Sequence, residues 1–105
     1  MVKNIFDDIK VDKKEEIFEV LFQNQVVKIE KIISNGQTSK PNFWYNQEEI
    51  EFVILLSGEA QIEFEDEIID LKKGDYTLIS AHRKHRVAFT DTKNPTIWLA
   101  VFIKN

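Results

Sequence analysis

The chain contains no cysteine among its 105 residues, which excludes disulfides, iron–sulfur clusters and thiolate zinc sites. Any metal ion must therefore be bound by histidine, carboxylate, amide or water. Glycine and proline are scarce, with three and two copies. They mark the predicted bends of the chain, at Gly36, Pro41, Gly58, Gly74 and Pro95. No stretch approaches the roughly 18 apolar residues of a membrane-spanning helix.

The composition predicts one packed domain over residues 1–105, because 43% of the residues are hydrophobic and 30% are charged. The net charge of -4, without a cluster of basic and aromatic residues, argues against a nucleic-acid partner. The first ten residues have no apolar run and include acids, so they do not resemble a secretion signal. We therefore expect a cytoplasmic protein that does not associate with membranes.

Short alternating segments predict an all-β fold. Ala60, Ile62 and Phe64 alternate with polar residues, which is typical of a half-exposed strand. Further strands are predicted at 26–33, 52–56, 67–71, 76–79, 86–90 and 97–103. Many short strands at close spacing favour a β-sandwich or a small barrel.

One segment, residues 12–22, fits either a helix or a strand. Asp12 is suitable as a helix cap, with Glu15 and Glu16 in the first turn. From Ile17 onward, however, the residues also alternate with a period of two, which favours a strand beginning near Ile17. Two turns are predicted further along, a hairpin turn at residues 65–66 and a turn in which Gly74 adopts a positive φ.

Two spaced patterns lie between residues 50 and 89. Glu51 is followed after six residues by Gly58, and Gly74 is followed by a segment that contains the only two histidines, His82 and His85. These spacings resemble the two-part motif of the cupin family. The first part is Gly, five residues, His-x-His, three or four residues, Glu, six residues, Gly. The second part is Gly, five residues, Pro-x-Gly, two residues, His, three residues, Asn.

The resemblance covers nearly the whole chain and points to a subgroup of small bacterial cupins. It implies a cupin-type jelly-roll β-barrel with an N-terminal strand segment, in which residues 1–24 form an arm and residues 25–105 form the barrel. Related small cupins pair through sheet edges, so the resemblance also implies a homodimer, in which the N-terminal edge strand is covered.

The chain departs from the family motif at several positions. The family's His-x-His falls on residues 45–47 or 44–46, and neither triplet contains histidine. Ser80, His82 and Phe89 stand where the second part has proline, glycine and asparagine. Of the four metal ligands that the resemblance implies, only a glutamate and one histidine are kept.

The kept residues, Glu51 and His85, lead to two hypotheses for the barrel interior. In the first, they bind a divalent iron, manganese, nickel or zinc ion together with Gln47 and His82. In the second, Glu51 pairs with His85 or Lys31 and satisfies a polar interior without a metal. No organic cofactor is expected.

We therefore rank three functions. The first is a small-molecule-binding cupin with an adapted interior site at Glu51 and His85. Its pocket for a small polar molecule is lined by Trp44, Tyr45 and Trp98. The second is a metal-dependent enzyme of the oxygenase or isomerase class that acts on an organic acid or a sugar. The third is a metal-free structural or interaction domain. Loss of the His-x-His pair argues against redox chemistry, whereas retention of the two kept residues argues against a purely structural role.

Overall fold

The computed structural model describes all residues, Met1–Asn105. The chain forms eight strands and no helix: β1 (Ile17–Gln23), β2 (Val27–Ser34), β3 (Ile50–Ser57), β4 (Glu59–Phe64), β5 (Ile68–Lys72), β6 (Tyr76–Ile79), β7 (His85–Thr90) and β8 (Thr96–Ile103). The predicted all-β class is confirmed. The structure contains no helix that could span a membrane.

The strands form two antiparallel sheets that face each other. The larger sheet has the order β1-β2-β8-β3-β6 and the smaller one the order β5-β4-β7. Their inner faces bury one apolar core, formed by Val53, Leu55, Ala60, Ile62, Phe64, Leu71, Ile79, Trp98 and Ala100. This arrangement is the jelly-roll barrel that the resemblance to cupins implies.

The alternation predicted for β4 is confirmed by its burial. Ala60, Ile62 and Phe64 are all buried, whereas the residues between them are half-buried. Since successive side chains of a strand point to opposite faces, a single apolar row supplies the contribution of β4 to the core. The more apolar β8 lies between β2 and β3 and pairs with both, so it occupies the centre of the larger sheet.

The ambiguous N-terminal segment forms a strand. The Asp12 carboxylate accepts backbone N–H bonds from Lys14 at 2.8 Å and from Glu15 at 3.1 Å, which is the geometry of a cap. The turn does not continue into a helix, because β1 instead pairs antiparallel with β2 from Ile17 to Gln23. The predicted arm of residues 1–24 thus contains an edge strand of the larger sheet.

Two glycines allow the chain to reverse direction. Gly74 has the predicted positive φ, at 91°, and Gly58 joins β3 to β4 with a φ of 86°. Residues with a Cβ rarely adopt this region. The two sites differ in space, because a Cβ on Gly58 would lie 2.7 Å from the Cα of Thr96, whereas a Cβ on Gly74 would meet nothing within 4 Å.

We expect Gly58→Ala to lower the free energy of unfolding more than Gly74→Ala does. Both changes carry the left-handed backbone penalty of about 1–2 kcal/mol. Only the change at Gly58 adds a clash with the backbone, which costs about 1–3 kcal/mol more. Denaturant unfolding of the two variants measures the difference, and equal losses of stability would contradict the packing argument.

Candidate functional site

A cavity of about 360 Å³ opens between the two sheets. Its apolar wall is formed by Phe18, Ile32, Val53, Ile62, Val87, Trp98 and Phe102. Its polar side chains are Glu16, Lys28, Glu30, Tyr45, Gln47, Glu49, Glu51 and His85. The mixture of an apolar wall with a few convergent polar groups is typical of small-molecule sites.

The backbone brings two loops together at this cavity. Tyr45 and His85 exchange backbone hydrogen bonds of 2.7 and 3.1 Å, and the N–H of His82 donates to the carbonyl of Gln47 at 2.7 Å. The segment before β3 is therefore tied to the loop before β7. As a result, the Tyr45 ring stacks on the His85 imidazole, with ring centroids 5.4 Å apart.

The polar centre of the cavity is a contact between the two sheets. His85 on β7 places its Nε2 3.3 Å from Oε1 of Glu51 on β3. The Gln47 amide donates to the same oxygen at 3.1 Å. The side chains of His85 and Glu51 are only 7% and 11% exposed, so this contact is largely shielded from solvent.

The other ring nitrogen of His85 sets its orientation. Nδ1 lies 2.9 Å from the carbonyl oxygen of Arg83, and because a carbonyl only accepts, Nδ1 carries a proton. The Arg83 guanidinium lies 3.7 Å from the Phe64 ring centroid and 3.0 Å from the Glu67 carboxylate. These contacts hold the loop, and so direct Nε2 toward the cavity.

The surroundings raise the pKa of His85 above its usual 6.5. Burial alone would lower this pKa, but the hydrogen bonds to Glu51 and to the Arg83 carbonyl outweigh it. The contact is therefore an imidazolium–carboxylate pair over a wider pH range than an exposed histidine would allow.

Tyr45 lines the cavity together with several carboxylates. Burial is the main reason that the pKa of Tyr45 is raised, and the negative charges of Glu16, Glu51 and Glu30 raise it further. Three carboxylates from separate parts of the chain therefore act on one phenol. Carboxylates outnumber cationic side chains on the cavity wall.

A second hydrogen-bonded chain connects the N-terminal segment to the core. The indole N–H of Trp98 donates to Oγ of Ser34 at 3.0 Å, and the Ser34 hydroxyl donates to the Glu16 carboxylate. Burial raises the pKa of Glu16, and the bond from Ser34 offsets part of this effect. The residue that precedes β1 is thus part of the cavity wall.

The structure brings together five of the predicted site residues. Gln47, Glu51 and His85 meet at one point, and Tyr45 and Trp98 line the cavity. Glu51 and Val53 face the cavity from β3 because alternate residues of a strand share a face, and Gln47 and Glu49, which precede β3, line the same cavity.

The two other predicted residues lie elsewhere. His82 is exposed, has a φ of 63° and places its Nδ1 3.0 Å from the Asn46 side chain. Its left-handed backbone turns the ring away from the interior, so the proposed fourth ligand does not line the cavity. Trp44 is half-buried and is also absent from the cavity wall, because its neighbour Tyr45 takes the inward position.

The resemblance to cupins implies a divalent metal ion, which needs a matching set of donor atoms. Catalytic metal sites usually use three protein ligands, but no group of three or more His, Cys, Asp or Glu side chains converges here. Glu51 and His85 contact each other directly, and Gln47 turns an amide N–H toward them. These residues do not fit a firmly held iron, manganese, nickel or zinc ion.

Four charged residues of the cavity were not among the predicted site residues: Glu16, Lys28, Glu30 and Glu49. The sequence of β2 gave a signal, because Lys28 and Glu30 share a face with Ile32. That pattern does not say which face is inner. Lys31, the alternative partner for Glu51, is on the opposite face of β2, and Glu51 pairs with His85 instead.

We expect the pKa of His85 to lie above 6.5 and to fall in Glu51→Gln, because the variant removes the carboxylate. Since the folded-state pKa is raised, the stabilising contribution is full below the unfolded value of about 6.5 and is lost as the pH rises through the folded value. NMR titration of the imidazole measures the shift, with the exposed Glu19→Gln as control. An unchanged His85 pKa in Glu51→Gln would contradict the pair.

The chain is similar to several solved structures. A Ralstonia eutropha JMP134 protein, provisionally named a mannose-6-phosphate isomerase, is 43% identical, with a TM-score of 0.95 over 100% of this chain and 99% of that one. A cupin superfamily protein from Desulfitobacterium hafniense DCB-2 is 21% identical, with a TM-score of 0.78 over 92% and 84%. A Streptococcus pyogenes protein of unknown function is 19% identical, with a TM-score of 0.81 over 100% and 88%.

No protein of curated function matches the chain. The family model of the cupin domain, however, matches residues 31–102. That match covers β3 to β7 completely, and with them Glu51 and His85. The chain therefore belongs to the cupin domain family.

Proposed function

We propose that this protein binds a small polar molecule in the cavity between its sheets. The observation that carries the proposal is the convergence of Glu51, His85 and Gln47 on the wall of a cavity of about 360 Å³. A carboxylate, an imidazole and an amide together offer donors and acceptors to a ligand. The apolar wall opposite them excludes water and accommodates the rest of the molecule.

A purely structural role is less well supported by the energetics. Burying two charges is costly, and replacing a buried ion pair by apolar residues is often neutral or stabilising by about 1–4 kcal/mol. The pair of Glu51 and His85 is thus a poor means of stabilising the barrel. Its position beside a cavity supports recognition of a ligand.

A metal-dependent isomerase acting on a sugar phosphate is the second candidate, favoured by the 43% identity to the Ralstonia protein of that provisional name. Two features of the cavity disfavour it. Its donor set does not fit a firmly held ion, and its wall carries four carboxylates against Lys28 and His85. A phosphate group would meet unfavourable charge there.

We expect small polar molecules that fit the cavity to raise the melting temperature of the protein, and His85→Asn to abolish the rise. His82→Asn is the matched control, because His82 lies outside the cavity and asparagine tolerates its left-handed backbone. Thermal unfolding with a library of such molecules, with divalent ions and with mannose 6-phosphate checks this. A rise only with a divalent ion, lost in His85→Asn, would favour the metal-dependent enzyme.

We also propose that the protein is a cytoplasmic homodimer that pairs through β1. This strand is at the edge of the larger sheet, so one row of its backbone groups has no strand partner. Phe18, Leu21 and Phe22 on it are about half exposed. An apolar edge strand of this kind favours pairing with a second chain.

We expect Phe22→Lys to convert the dimer into monomers, because it places a charge at the apolar edge. Leu78→Lys is the control, since Leu78 is similarly exposed on β6 at the opposite edge of the same sheet. Sedimentation velocity measures the oligomeric state of both variants and of the unmodified protein. A monomeric unmodified protein, or a dimer that only Leu78→Lys dissociates, would contradict pairing through β1.

A further inference from the structure

The charged side chains of the cavity are unbalanced. Four carboxylates line it, those of Glu16, Glu30, Glu49 and Glu51, against the ammonium of Lys28 and the imidazole of His85. Glu51 and His85 satisfy each other, and the Glu16 carboxylate accepts a bond from Ser34. Even if Glu16 is counted as neutral, the remaining wall is negative.

Glu30 has unused capacity to accept hydrogen bonds. The residue is 9% exposed and lines the cavity, and its nearest cation, the Lys28 Nζ, is 4.0 Å away. That separation exceeds hydrogen-bonding distance. No hydrogen bond within the chain reaches the Glu30 carboxylate, whose oxygens are accessible at the cavity and can accept bonds from a ligand.

The cavity wall already contains one example of an ammonium between a carboxylate and an aromatic ring. Nζ of Lys28 lies 4.8 Å from the Phe102 ring centroid while it faces Glu30. Cations bind the faces of aromatic rings as well as carboxylates. The side chain of Lys28 is 37% exposed, so its ammonium is also in contact with solvent.

We propose that the cavity selectively binds a small organic cation, which consists of a primary ammonium group on an apolar body. Glu30 and Glu49 bind the ammonium group. The apolar body lies against Trp98, Ile62 and Val87, which line the same cavity. Glu49 is half-buried, lines the cavity and makes no side-chain hydrogen bond or ion pair within the chain, so its carboxylate is available to a ligand ammonium. This inference rests on the proposed small-molecule function and names the class of ligand.

The test uses compounds matched in shape that differ only in charge. Three apolar bodies, isobutyl, cyclohexylmethyl and 2-phenylethyl, are each tested as ammonium, alcohol and carboxylate by calorimetry and thermal unfolding. We expect the ammonium member of at least one set to bind about tenfold or more tightly than its alcohol, since a charge-assisted hydrogen bond contributes that much. The carboxylates are expected not to bind.

We expect two substitutions to change the affinity for the ammonium compound in opposite directions. Glu30→Gln keeps the shape but removes the charge, so ammonium affinity falls about tenfold. Lys28→Met keeps an unbranched side chain but removes the competing ammonium, so affinity for the same compound rises. Glu19→Gln, at an exposed position outside the cavity, leaves the affinity unchanged. A structural effect on the fold would not produce opposite changes at Glu30 and Lys28.

The outcomes separate this inference from the proposed function. If alcohols or carboxylates bind more tightly than ammonium compounds and His85→Asn abolishes that binding, the inferred ligand class is wrong. The proposed small-molecule site is then still supported. Ammonium binding that Glu30→Gln and Lys28→Met leave unchanged also overturns the inference. If no compound of any charge class and no member of the polar library binds, both the inference and the proposed function are wrong.

Discussion

The contact between Glu51 and His85 joins the two sheets of the barrel at the point where the cavity begins. Glu51 belongs to β3 in the larger sheet and His85 starts β7 in the smaller one. A buried carboxylate next to a buried imidazole is stable only if both remain hydrogen-bonded. Gln47 and the Arg83 carbonyl satisfy that condition, so the loops on either side of the pair are held by the same requirement.

The inter-sheet space is filled by two kinds of side chain. Leu55, Phe64, Leu71 and Ile79 are buried in the apolar core. Glu16, Glu30 and Glu51 also face inward, and carboxylates cannot pack against one another as apolar side chains do. A cavity with a negative wall is the result, and its chemistry follows from the field of all these groups together.

Much of the fold could be predicted from alternation and turn residues. The strand from Ile17, the row of Ala60, Ile62 and Phe64, and the positive φ of Gly74 are all confirmed, because each depends on neighbours along the chain. The site was predicted only in part. Gln47, Glu51 and His85 meet as expected, but His82 and Trp44 do not face the cavity, since the direction of a side chain in a loop depends on contacts made far away in sequence.

The sequence by itself determined the strands, the absence of thiolate chemistry and the family motif that includes Glu51 and His85, because composition and periodicity are local properties. Only the tertiary structure decided which face of β2 is inner, and so brought Lys28 and Glu30 into the cavity. It also placed Glu16, which precedes β1, beside Ser34 at the end of β2, a contact between residues 18 positions apart. The net charge of the cavity wall therefore depends on the tertiary structure, because the electrostatic field is the sum of contributions from charged groups that only folding brings close together.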